Sequence, residues 1–124
     1  MGEDGLHGPD GLDELVTVLD QLADRFRAMP QSYLLGKVAG HPSRATAGLA
    51  LARQLAHWAQ LVEEGEGAGA RPREIPDAGV FAVGDQLSVA GHDLVTALAQ
   101  TPTAAPGLLA EAVAAVRTTM KATL

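Results

Sequence analysis

Residues 42–64 read PSRATAGLALARQLAHWAQLVEE, and this stretch decides the fold. An α-helix advances about 100° per residue. On that wheel Gly48, Leu51, Ala52, Leu55, Trp58, Ala59 and Val62 share one side, and Ala45, Leu49 and Ala56 widen it. Thr46, Arg53, Gln54, His57, Gln60 and Glu64 fill the narrower polar arc. A surface helix needs an apolar stripe of only about 100°. The wider stripe here predicts contact with more than one neighbour. Leu51, Leu55, Trp58 and Val62 form a bulky edge, and Ala45, Gly48, Ala52, Ala56 and Ala59 a small-residue edge that lets another backbone come close. Pro42 suits the first helical turn, where a missing N–H is no loss. Gly65 and Gly67 end the helix.

Upstream, Leu12, Leu15, Val16, Leu19, Leu22, Ala23 and Phe26 share one helical face, and Asp13, Thr17, Asp20, Gln21, Asp24 and Arg27 the other. Asp10 is the expected N-cap, Asp13 and Glu14 suit the positively polarised first turn, and Pro30 stops the helix near Ala28. Residues 1–9, with Gly2, Gly5, Gly8 and Pro9, read as a flexible tail. The run PQSYLLGKVAGH, residues 30–41, predicts a short helix or ordered loop near 31–40 that lays Tyr33 and Leu34 on the bundle. Gly36-Lys37 is not a phosphate loop, because Gln31 replaces the first glycine and Val38 the hydroxyl residue.

Downstream, GEGAGARPREIP (65–76) reads as a flexible linker. It is long enough to cross one end of a bundle or to let two subunits exchange halves. Asp77 is the expected cap of a third helix reaching Gln100, with Val80, Val83, Leu87, Ala90, Leu94 and Leu98 on its apolar face. Gly84 and Gly91 lie beside that face. Each costs about 1 kcal/mol against alanine. The pair therefore predicts a closely packed backbone, with the small-residue edge of 42–64 as its candidate partner. A turn at 101–106 precedes a last helix over about 105–123. Its inward residues are Leu108, Leu109, Ala112, Val113, Val116 and Met120. Four amphipathic helices without strand-like alternation predict an all-α four-helix bundle over residues 10–124. Antiparallel up-down connectivity is the simplest arrangement, and a crossover through 65–76 is the other.

Composition narrows the function classes. The chain has 124 residues, 47% hydrophobic but only 3% aromatic, so its core is built from Leu, Val and Ala. The absence of cysteine excludes a disulfide framework, a thiolate metal site and a cysteine nucleophile. No apolar run approaches the roughly 18 residues of a membrane span. The start, Met-Gly-Glu-Asp-Gly, lacks the basic and apolar segments of a secretory signal, and Leu6 stands where a myristoylation signal needs Ser or Thr. A net charge of −6 argues against nucleic acid and anionic membranes as partners. These features predict a cytoplasmic protein.

Candidate chemistry is thin. Asp85, Ser88 and His92 have the residue types of a hydrolase triad, but about 10 Å of helix separates Asp85 from His92, and the Asp must touch the His to orient it. His7, His41, His57 and His92 lack the Glu-x-x-His spacing of dinuclear metal bundles. Trp58-Ala59-Gln60 lacks the Trp-x-Gly turn of the helical hairpins exported by type VII systems. No catalytic residue, metal or cofactor is expected. Phe81, Leu61 and Val89 lie off their core faces, and Asp20 and Asp24 repel each other on an acidic face. These five are the interaction candidates, and they predict a homodimer or a protein partner. The alternative is a small-molecule pocket between helices, lined by Trp58, Phe26, Tyr33, Gly84 and Gly91.

Overall fold

Ser43 rather than Pro42 sets the start of the central stretch. Its hydroxyl oxygen accepts the Thr46 N–H at 3.1 Å, the bond of an N-cap to the third helical residue. In the computed structural model, residues 9–64, 74–101 and 107–124 are described, with side chains from residue 11. The elements are α1 (Pro9–Ala28), α2 (Gln31–Leu34), α3 (Arg44–Glu64), a 3-10 turn (Val80–Ala82), α4 (Val83–Gln100) and α5 (Leu108–Ala122). The fold is an all-α bundle of four long helices. Among the described residues extended pairing is limited to one bridge, Val38 with His41.

The tail and most of the linker, 1–8 and 65–73, lie outside the described residues. Pro9 and Asp10 are already helical, so α1 begins before the expected cap. Proline is suited to the opening of a helix, which explains the earlier start. Asp77 does not cap α4 either. Its carboxylate accepts the Gly79 N–H at 2.9 Å and closes a turn two helical turns early. Gly79 takes φ 96° and ψ 160°, a region open essentially to glycine alone. The chain then enters α4 through the 3-10 turn.

Contacts fix the direction of each helix. Gly48 of α3 abuts Val83 at the start of α4, and Ala56 faces the same groove as Ala90. These two helices therefore run parallel, and residues 74–79 are the described end of the connection that returns to the start of α4. The returning chain is held midway, where Arg53 Nε donates to the Ile75 carbonyl at 2.9 Å. By contrast α1 runs antiparallel to α4: Asp20 meets His92, and Arg27 meets Asp85. Around the bundle the order is α1, α4, α3, α5, so α4 packs along both α1 and α3.

The core contains the predicted faces. Leu15, Leu19, Leu22, Ala23 and Phe26 of α1, Leu87, Ala90 and Leu94 of α4, and Ala112, Val113 and Val116 of α5 are all buried. Val18 and Met29 join them, because α1 is covered by α4 on one side and α5 on the other. In α3 the buried arc is displaced. Gln60 is buried, bonding the Glu64 carboxylate at 3.3 Å, while Trp58 is only partly covered.

Gly84 and Gly91 do mark a close approach, but α1 is the partner, not α3. A Cβ on Gly84 would stand 3.0 Å from the Ala23 carbonyl oxygen and 3.3 Å from the Arg27 nitrogen. A Cβ on Gly91 would land on the Leu19 side chain.

Candidate interaction surface

The outer face of α4 is where the crossover leaves its mark. Residues 74–78 lie across it as a strap, tied by Arg53 to the Ile75 carbonyl and by Gln86 Nε2 to the Pro76 carbonyl, both at 2.9 Å. Between strap, α4 and Ala56 of α3 lies an open groove of about 430 Å³. Its floor and walls are mostly small or aliphatic: Ala56, Ile75, Pro76, Ala78, Ala82, Val89 and Ala90. Glu74, Asp85 and Asp93 also line it, and among the described residues no Lys, Arg or His does. Gln86 completes the lining; its Oε1 is buried and has no hydrogen-bond partner among the described residues.

The structure divides the interaction candidates. Phe81 and Val89 are 66% and 63% exposed. Val89 lines the groove, and Phe81 adjoins Ala82, which also lines it. Leu61, at 40% exposed, lies on α3 and takes no part in the groove. Asp20 and Asp24 each have a basic side chain beside them. Asp20 Oδ1 is 3.1 Å from His92 Nε2, and Asp24 Oδ1 accepts from Arg27 at 3.1 Å. Arg27 also donates to Asp85 at 2.9 Å. That Asp85 hydrogen bond, aided by Asp24 and opposed by slight desolvation, raises the Arg27 guanidinium above the ordinary arginine range. The repulsion between the two aspartates is thus answered by basic neighbours within the molecule. Exposed pairs of this kind contribute about 0–1 kcal/mol.

The pocket candidates do not converge on the groove. Phe26 is core, and Trp58 packs against it at the margin. The room at Gly84 and Gly91 is taken by α1. Tyr33 is exposed, and the Arg44 guanidinium stacks on its ring at 3.7 Å. Arg44 also donates to the carbonyls of Tyr33, Thr123 and Leu124, each at 3.2 Å. It thereby joins α2, α3 and the end of α5.

Two of the three triad residue types are engaged elsewhere, Asp85 with Arg27 and His92 with Asp20. Among the described residues no three His, Asp or Glu side chains are grouped to hold a metal ion, and no helix is long and apolar enough to cross a membrane.

Sequence reasoning missed Glu74, Ile75 and Asp93 as groove residues, and Arg44 as a tie. A signal existed at the linker's end. Ile75 is an apolar residue in a polar segment, and Asp77-Ala78-Gly79 has the composition of an Asx turn. No protein-family model matches the chain, and comparisons with curated proteins and with solved structures likewise find no match.

Proposed function

We propose that this is a non-enzymatic interaction or regulatory protein that docks a partner on the outer face of α4. The observation that carries the reading is the juxtaposition of exposed Phe81 and Val89 with an apolar, alanine-floored groove. Large apolar groups on a helix face beside a groove are the features that a partner's side chains cover. Two of the three triad residue types support the same reading, since Asp85 is hydrogen-bonded to Arg27 and His92 to Asp20, both across to α1. Of the two partner classes, a different chain is favoured over a second copy. A symmetric dimer would bring Glu74, Asp85 and Asp93 against an equally acidic surface.

Site-specific photo-crosslinking in the source cells tests this. A photoreactive residue at Val89 is expected to trap a partner, while one at Glu111, exposed on α5 diagonally across the bundle, is not. Equal trapping at both positions, or none at Val89, contradicts the reading.

A small-molecule role is the second reading, and the groove's volume favours it. About 430 Å³ falls within the roughly 300–1,000 Å³ of ligand pockets. A ligand that binds only the folded state raises the melting temperature. A thermal-shift screen in which Val89→Asp abolishes the shift would support this reading over protein docking.

A further inference from the structure

The shape and charge of the groove together specify its occupant. Ala82, at the end of the 3-10 turn, and Gln86, Val89 and Asp93 of α4 follow one another at four, three and four residues, and all line the groove. The stripe from Ala82 to Asp93 is about 16 Å long at 1.5 Å per residue, the length of three turns of a second helix. Its floor is unusually small, with Ala56, Ala82 and Ala90, so it receives protruding side chains instead of offering them. Among the described residues its charged lining is all acidic. Asp93 and Glu74 have no ion-pair partner among the described residues, and Asp85 shares Arg27 with Asp24. An elongated apolar trough with carboxylates along its edges is complementary to a helix with large apolar residues on one face and lysine or arginine on the flanks.

We infer that the groove receives a basic amphipathic helix from a partner protein. This rests on the docking reading above and names the partner's chemistry. The apolar anchors enter over Ala56, Ala82 and Ala90, and the flanking cations meet Asp93 and Glu74. The strap forms one wall, so the helix lies beside residues 74–78 and not over them.

The test uses the full chain, isotope-labelled, and two synthetic peptides of about 16 residues, enough for four helical turns. One carries leucine at helical spacing with lysine elsewhere, and the other has the same leucines with glutamate. The lysine peptide is expected to shift the backbone signals of Ala82, Val89, Ala90 and Asp93. It should bind about tenfold more tightly than the glutamate peptide at low salt, and lose that advantage near 1 M salt, where charges are screened beyond about 3 Å. Asp93→Asn combined with Glu74→Gln removes exposed charge without volume and should weaken the lysine peptide about five- to tenfold, as lost rim charges do. Equal groove binding by both peptides overturns the basic-helix inference and leaves the docking reading standing. Perturbation confined to other faces, or none at all, overturns both. Groove shifts that grow with protein concentration alone assign the groove to a second copy and overturn the inference.

Discussion

Leu19 occupies the space that a side chain on Gly91 would need, and the α1 backbone occupies that of Gly84. Alanine has the better helix propensity by about 1 kcal/mol. Overpacking a filled core costs about 1–3 kcal/mol. Leu19 is fully buried and cannot swing away, so the second effect wins. Gly91→Ala is expected to lower unfolding stability by about 1 kcal/mol, and Gly91→Leu by more. In denaturant titrations, Leu19→Ala should absorb the added methyl. The double variant should then be more stable than the sum of the two single changes. A Gly91→Leu protein as stable as the parent contradicts the close packing of α1 on α4. Gly79 poses a different constraint. Nothing lies near its missing side chain, but its φ of 96° excludes other residues. Gly79→Ala is expected to cost about 1–3 kcal/mol through the backbone alone.

The helices were legible in the sequence wherever a continuous apolar stripe marked the buried face. α4 buries Val83, Leu87, Ala90, Leu94 and Leu98 and α5 buries Leu108, Ala112, Val113 and Val116, as their periodicity marked, while Val80, Leu109 and Met120 are only partly buried. The ends were less legible. Pro42 and Asp77 both carry helix-start chemistry, yet Ser43 caps α3 and Asp77 closes an Asx turn. Proline and aspartate serve turns and helix starts equally well, so residue type alone does not separate them. Ser43→Ala should cost about 1 kcal/mol. Arg44 had no signal at all. A cation in a first helical turn opposes the macrodipole, and only the tertiary structure shows the carbonyls it serves at α2 and at the end of α5. Arg44→Met keeps much of the stem and removes the donors. It should destabilise by about 1–2 kcal/mol, and the amides of residues 119–123 should exchange with solvent faster than in the parent protein. Unchanged exchange there contradicts the role assigned to Arg44.

The arrangement of the bundle was the least legible feature, and the groove depends on it. A helical wheel shows which face is buried but not which helix covers it, nor in which direction that helix runs. The small-residue edge of α3 and the glycines of α4 suggested each other by composition. In the structure, Gly84 and Gly91 instead receive α1, and α3 lies parallel to α4 with the crossover strap across their outer side. Were α3 and α4 antiparallel, the connection would only have to turn round at one end of the bundle. Ile75, Pro76 and Ala78 would then not reach the α4 face, and the acidic trough would lose its wall. The chain contains no cysteine, so pairs of introduced thiols can carry spin labels without interference. Glu63, Asp85 and Ala99 are exposed. The 14 residues from Asp85 to Ala99 span about 20 Å of helix axis. Distances measured by pulsed electron resonance for the pairs Glu63/Ala99 and Glu63/Asp85 report the direction of α4 relative to α3. The parallel crossover predicts that Glu63/Ala99 is the short pair and Glu63/Asp85 the long one; the reverse order contradicts it.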